Sequence, residues 1–148
     1  LYGRAMVHES EGQLGAMEND LRSSLAQDPD HAATLNALGY TLTNHTQRYD
    51  EAANLIERAL ALSPGDPAIL DSLGWVYYKL GQYSESEALL REAHNAFPDP
   101  EVAAHLGEVL WVQGRQFEAR DVWRDGLGRV PDHPIILETV KRLGAELP

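Results

Sequence analysis

Residues 67–81 read PAILDSLGWVYYKLG, and this stretch decides the fold of the 148-residue chain. Its apolar residues fall on one helix face, and Gly74 lies in the middle of that helix. A glycine inside a helix costs about 1 kcal/mol relative to alanine, so its recurrence at equivalent places predicts close packing against a second helix. The same pattern returns as LNALGYTL at 35–42 and as AAHLGEVL at 103–110.

A second helix is predicted after each of these segments. In the unit that contains 67–81, Ser86, Leu90 and Ala93 place small, bulky and small side chains on one face. Gly81 and Gly114 mark turns between the two helices of their units. Prolines end the second helices at intervals of 35, 34 and 33 residues, which is typical of a stacked repeat protein. They are Pro29, Pro64, Pro98 and Pro131.

These positions resemble the tetratricopeptide repeat (TPR). The family pattern is matched by Leu70, Leu73, Gly74, Tyr77, Ser86, Leu90 and Pro98, with leucine for the leading tryptophan and serine for the usual alanine. The resemblance implies an all-α fold, a solenoid of antiparallel helix pairs with about 3.5 to 4 repeats and a C-terminal capping helix. The predicted boundaries are a partial repeat at 1–31, full repeats at 32–66, 67–99 and 100–133, and the cap at 134–148.

The composition and charge of the chain restrict the class of partner that it can bind. The formal net charge is −11 with a pI near 4.8, which disfavours nucleic acids and anionic membrane surfaces and favours a basic or apolar protein or peptide. No apolar run approaches the roughly 18 residues that would cross a bilayer, so we expect no direct membrane insertion. The chain begins without a methionine, and we interpret it as a fragment of a longer protein.

The resemblance also implies a binding surface, since the first helix of each TPR unit lines a concave wall. Two interpretations of its aromatic residues stay open: they contact a partner, or they pack against the next unit. The inner positions lack the Lys, Arg and Asn set of a carboxylate clamp, so acidic residues are expected to meet Lys or Arg on the ligand. The predicted partner-binding residues are Asn36, Tyr40, Asp71, Trp75, Tyr78, Lys79, Glu101, Glu108 and Trp111.

Catalysis and metal binding are not predicted. None of the six histidines pairs with another at i, i+4, and the chain has no cysteine. His31 and His133 fall in the connections between units, and His105 is the one histidine expected near the edge of the inner wall. Carboxylate pairs such as Glu85 and Glu87 are expected on solvated helix faces, so no acid–base site, cofactor or metal is predicted.

The sequence therefore predicts a non-catalytic protein-binding module, part of a scaffold or adaptor. The segment 71–75, DSLGW, also resembles the C-terminal repeats of Gram-negative TPR lipoproteins. That resemblance implies an outer-membrane anchor outside this chain, a periplasmic location, and recruitment of a C-terminal-processing protease with its cell-wall hydrolase substrates. The alternatives are a cytoplasmic TPR scaffold, or a self-assembly module that forms a homodimer through the truncated N-terminal unit.

Overall fold

A computed structural model describes residues 11–147, and these form eight helices and no strand. The first part of the predicted partial repeat, with its expected apolar N-terminal end, lies outside the described residues. The predicted all-α class is confirmed for the rest. The helices are α1 (Glu11–Gln27), α2 (Ala32–His45), α3 (Tyr49–Leu62), α4 (Pro67–Lys79), α5 (Tyr83–Ala96), α6 (Pro100–Val112), α7 (Gln116–Arg129) and α8 (Pro134–Arg142).

The chain divides into two compact units at Pro64 and Gly65. Unit 1 comprises the residues up to Pro64, with helices α1 to α3. Unit 2 comprises the residues from Gly65 onward, with helices α4 to α8. Within the units the helices pack pairwise, α2 with α3, α4 with α5 and α6 with α7.

An acidic or histidine side chain followed by proline begins three of the four helices that open a pair or the cap. The Asp66 carboxylate accepts hydrogen bonds from the backbone N–H of Ala68 and Ile69, and Pro67 occupies the first turn. Asp99 does the same for α6 and His133 for α8. These side chains satisfy backbone donors that a helix N-terminus leaves unpaired. The histidine in the connection before α8 is therefore an N-cap, as is His31 before α2.

The glycine inside the first helix of each pair is where the two helices cross. A Cβ atom on Gly74 would lie 2.7 Å from the Leu90 Cγ, and one on Gly107 would lie 2.1 Å from the Trp123 Nε1. Such distances are far below van der Waals contact, so only glycine lets the second helix approach this closely. The predicted packing reason for these glycines is confirmed. Gly39 has the same relation to Ile56 in unit 1.

The bulky residue that fills each crossing is fully buried. Trp123 has no exposed surface and is the largest buried side chain of the core of unit 2, as the repeat pattern predicts. Its counterparts Ile56 and Leu90 are also fully buried. Each of these three side chains packs against the glycine of its paired helix. Burial of a side chain of this size contributes about 2 kcal/mol or more to the free energy of unfolding.

A charged quartet joins neighbouring helices in each unit. In unit 2 the Glu87 carboxylate accepts from Arg115 at 2.6 Å and pairs with Arg91 at 2.9 Å, while Glu118 closes the ring. The Glu87 side chain is only 15% exposed, so the expectation of a solvated face was wrong at this position. Burial raises the pKa of Glu87, but the hydrogen bonds from the two arginines outweigh it and hold the pKa below its usual range. The quartet of unit 1 consists of Glu18, Arg22, Arg48 and Glu51.

Within residues 11–147 no helix combines the length and the apolar character that a transmembrane span requires.

Candidate functional site

Two helices of unit 2 carry parallel stripes of functional side chains. Asp71, Trp75 and Tyr78 lie at i, i+4 and i+7 on α4, and α6 repeats this spacing with acidic and histidine residues. Residues at this spacing share one face, and contacts join the two stripes directly. We call the assembly the inner-face cluster. It consists of Asp71, Trp75, Tyr78, Glu101, His105, Glu108 and Arg142.

A buried acid–base pair links the N-terminal halves of the two stripes. The Nδ1 of His105 lies 2.9 Å from the Asp71 Oδ1, and each residue is 7% exposed. Burial lowers the pKa of His105, but the nearby carboxylates of Asp71, Glu101 and Glu108 outweigh it and raise the pKa above its ordinary value. The histidine and the carboxylate thus form a buried, hydrogen-bonded pair that joins the two helices.

Trp75 packs flat against this pair. Its ring lies 4.0 Å from the ring of His105, centroid to centroid, with 16° between the planes. On α4 itself it stacks on Tyr78 at 5.0 Å, and the Lys79 Nζ lies 4.9 Å from its centroid. Trp75 is 6% exposed, so most of its surface serves packing within the cluster.

Glu108 is the second buried acid of the cluster. Its side chain is 4% exposed, and its carboxylate accepts from the Tyr78 hydroxyl at 2.7 Å and from the Arg142 guanidinium at 2.5 Å. A buried carboxylate is tolerated only when it is paired and hydrogen-bonded in this way. Burial and the bond to Glu108 raise the pKa of Tyr78, so its hydroxyl remains a donor at neutral pH.

The structure separates the predicted binding residues of unit 2 into two groups. Asp71, Trp75 and Glu108 are buried and partnered inside the unit. The other four, listed here, are accessible: Tyr78, Glu101 and Trp111 are partly exposed and Lys79 is exposed.

Trp111 has contacts that bear on its two interpretations. Its ring lies 5.8 Å from that of Trp123, and the Arg120 guanidinium lies 5.1 Å from its centroid. It is therefore packed against α7 while keeping part of its surface accessible. In unit 1, Asn36 and Tyr40 are partly exposed on α2.

Sequence reasoning missed two members of the cluster, His105 as a buried partner and Arg142 as a contact of Glu108. A signal was present: Asp71 to His105 and Glu108 to Arg142 are both separations of 34 residues, close to one repeat. Acid and base thus occur on consecutive first helices, which the repeat itself brings together.

Three members of the cluster could hold a cation. One ligand atom each from Asp71, Glu101 and His105 lies within 4.8 Å of the others. Glu101 and His105 stand at i, i+4 on α6, a spacing that places both side chains on one helix face. A comparison of histidines only with one another misses this pair. The structure thus brings two carboxylates together beside a buried histidine, with Glu101 itself only partly buried.

Comparisons with known proteins agree with this architecture. Two family models, each described as a tetratricopeptide repeat, match residues 2–67 and 45–109. A TPR repeat-containing protein of Pseudomonas aeruginosa is 54% identical over the whole chain, which spans 25% of that protein's length. Other curated relatives are likewise much longer than the chain.

Solved structures share the fold. The chain resembles a thermophilic TPR protein of Thermus thermophilus with a TM-score of 0.76 and 21% identity, over 90% of this chain and 72% of that one. It resembles MamA with a TM-score of 0.70 and 16% identity, over 90% of this chain and 81% of that one. The crossing glycines, the helix pairs and the matched family models together show that the chain belongs to the tetratricopeptide repeat family.

Proposed function

We propose that unit 2 binds a basic, partly apolar segment of a protein partner through the accessible part of its inner face. TPR modules typically bind proteins, and this face combines aromatic surface with carboxylates. The observation that carries the proposal is the way Tyr78 is held. It stacks on Trp75 and donates to Glu108, so a partly exposed aromatic ring is rigid before any partner arrives.

The acids of the cluster take different roles in this proposal. Asp71 and Glu108 are paired with His105 and Arg142, so they position neighbouring side chains. Glu101 is partly exposed and can meet a Lys or Arg of the partner, while the net charge of −11 attracts a basic segment from a distance. Reversing the charge of a buried acid would unfold the unit and would not test binding.

The test is a binding assay with Lys- and Arg-containing peptides, read by fluorescence anisotropy. Glu101→Lys reverses the accessible charge, and Lys79→Ala with Trp111→Ala removes accessible side chains of the same face. Phe117→Ala is the matched control, because Phe117 is an aromatic residue of α7 that is 80% exposed. We expect weaker binding at least tenfold for Glu101→Lys and no change for the control. Equal binding by wild type and Glu101→Lys would contradict the proposal.

For the whole protein we propose an adaptor that recruits a C-terminal-processing protease and its cell-wall hydrolase substrates. The support is the resemblance of segment 71–75 to Gram-negative TPR lipoproteins, with 54% identity to a bacterial relative four times as long as the chain. Periplasmic location and an outer-membrane anchor outside this sequence belong to the same proposal. Asn36 and Tyr40 of unit 1 remain predicted contacts.

This adaptor role is tested by mixing the chain with the corresponding protease and measuring complex formation by size-exclusion chromatography with light scattering. A complex that Glu101→Lys weakens supports both proposals. A chain that stays monomeric beside the protease contradicts the adaptor role and favours a cytoplasmic scaffold. A chain that dimerises without any partner favours the self-assembly alternative.

A further inference from the structure

We propose that Asp71, Glu101 and His105 form a binding site for a divalent transition-metal ion, with Zn²⁺ as the representative. The inference is independent of partner binding. It rests on the geometry of three side chains, on their burial, and on the chemistry of one imidazole and two carboxylates.

The spacing of the three side chains allows them to share one ion. Glu101 and His105 are one helical turn apart on α6, so their side chains lie on one face, and Asp71 reaches them from α4. One ligand atom from each residue falls within 4.8 Å of the other two. The ligand set therefore spans two helices, and an ion bound there would tie α4 to α6.

The distance between the ligand atoms of His105 and Asp71 can be compared with the separation of two ligands around one zinc ion. Zinc binds histidine nitrogen and carboxylate oxygen at about 2.1 Å, so two such ligands lie about 3.0 to 3.4 Å apart around one ion. The observed separation of Nδ1 and Oδ1 is 2.9 Å, a hydrogen-bond distance just below that range. A metal ion can replace the proton between these two atoms once they move apart by about 0.5 Å, to the separation of about 3.4 Å that a tetrahedral site requires.

The surroundings of the ligands hold His105 in place and leave Glu101 accessible to an ion from solvent. The imidazole of His105 is stacked on Trp75 at 4.0 Å, which fixes its ring plane as outer contacts do in metal sites. Glu101 is only partly buried, so its longer side chain can close on the ion from the solvent side.

The ligand chemistry selects the ion. One imidazole with two carboxylates suits Zn²⁺, Co²⁺ or Ni²⁺, whereas Mg²⁺ prefers an all-oxygen octahedral shell. Two carboxylates and a neutral imidazole carry a charge of −2, which a divalent cation balances. Three protein ligands leave a fourth position for water.

The first experiment titrates the chain with Zn²⁺ and, separately, with Mg²⁺, using isothermal titration calorimetry and thermal unfolding. We expect one Zn²⁺ per chain and a raised Tm, because an ion that binds the folded state stabilises it, and no effect of Mg²⁺ at the same concentration. An unchanged Tm with excess Zn²⁺ would overturn the proposal.

Variants locate the ion. Glu101→Gln removes a ligand that is not deeply buried, so the protein stays folded, and we expect at least tenfold weaker Zn²⁺ binding. His105→Gln should abolish binding. The matched control is His94→Gln, since His94 lies 4.0 Å from the Asp125 carboxylate in the same unit but outside the cluster. Equal affinity in wild type and Glu101→Gln would refute the assignment.

Trp75 supplies a spectroscopic check. Bound Ni²⁺ quenches a nearby indole, and Trp75 stacks on the proposed ligand His105. We expect Ni²⁺ to quench tryptophan fluorescence in wild type and in Trp111→Phe, and to lose this effect in Trp75→Phe. Quenching that persists undiminished in Trp75→Phe would place the ion elsewhere and overturn the proposal.

Discussion

Units 1 and 2 share one repeat frame and differ in what their first helices display. Both contain an Arg–Glu quartet built from one i, i+4 pair and one i, i+3 pair. Both also contain a crossing glycine against which a buried residue of the second helix packs. Among residues 11–147, a buried acid–base and aromatic cluster lies on the first helices of unit 2 and has no counterpart in unit 1. The frame is thus general to the repeats, whereas the inner face is particular to each.

The equivalent positions show the contrast directly. Asn36 of unit 1 stands where unit 2 has Asp71, and Ala37 stands where α6 has His105. The buried Oδ1 of Asn36 meets no hydrogen-bond donor among the described residues, whereas Asp71 has a histidine at 2.9 Å. The comparison teaches that the inner-face cluster requires two consecutive first helices with complementary side chains, which the frame alone does not supply.

The largest expected effect tests the shared frame. Gly107→Ala places a Cβ 2.1 Å from the rigid indole of Trp123, and overpacking of this kind costs about 3 kcal/mol. Gly39→Ala meets the Cγ1 of Ile56 at 2.4 Å and the Ala52 carbonyl oxygen at 3.0 Å. An aliphatic side chain yields more readily than a fused ring, so we expect a smaller cost of about 2 kcal/mol. Urea unfolding of both variants measures the difference.

Gly15→Ala on α1 serves as the control for this comparison, because no heavy atom lies within 4 Å of the added Cβ. It should stabilise the protein by up to about 1 kcal/mol through helix propensity. Equal losses in Gly107→Ala and Gly39→Ala would show that the indole is as compliant as the isoleucine.

The next effect concerns the cluster that only unit 2 possesses. Arg142→Ala leaves the Glu108 carboxylate buried with the Tyr78 hydroxyl as its remaining neutral donor. We expect a loss of about 2 kcal/mol in the free energy of unfolding, since an incompletely paired buried charge is costly. Lys141→Ala, an exposed neighbour on α8, should change stability little in the same chemical denaturation experiment. Similar values for the two variants would mean that Glu108 is adequately solvated.

A smaller effect compares how the carbonyl groups of the crossing glycines are satisfied. The Ser86 hydroxyl donates across the helix pair to the Gly74 carbonyl at 2.6 Å, whereas Thr43 donates to the Gly39 carbonyl within α2 at 2.8 Å. Ser86→Ala should cost about 1 kcal/mol and Thr43→Val less, since a back-bond within a helix adds little to it. Thermal unfolding checks the order, and a larger loss for Thr43→Val would reverse this interpretation.

The smallest effect is the acid sensitivity that the two quartets share. The hydrogen bond from Arg48 holds the pKa of Glu18 below its usual range. The pKa of Glu87 is likewise lowered. Because both values are lower in the folded state, the stabilisation is present above the unfolded pKa of about 4.3 and is lost as pH falls through the folded pKa.

Urea midpoints measured between pH 7 and pH 3 test this for Glu18→Gln and Glu87→Gln. Each variant should differ from wild type at pH 7 and approach it at pH 3, and added salt should reduce the difference because both quartets reach the surface. A difference that grows toward pH 3 would contradict the direction of the pKa shifts.

Most of the frame could be predicted from the sequence. The crossing glycine Gly74, the bulky Leu90 and the turn at Gly81 follow from spacing alone, because a helix places i, i+4 and i+7 on one face regardless of its neighbours. The structure confirms all three, with Gly81 at a φ of 80°.

The helix pairs, their crossings and the stripes of residues that share a face follow from the amino-acid sequence alone, because these features depend on local periodicity. Contacts between helices, by contrast, pair Asp71 with His105 and Glu108 with Arg142, bury Trp75, and leave Glu101 accessible. Those outcomes depend on which side chains of consecutive helices meet, and on how far each charge is removed from water. Neither quantity is encoded by spacing within a single helix.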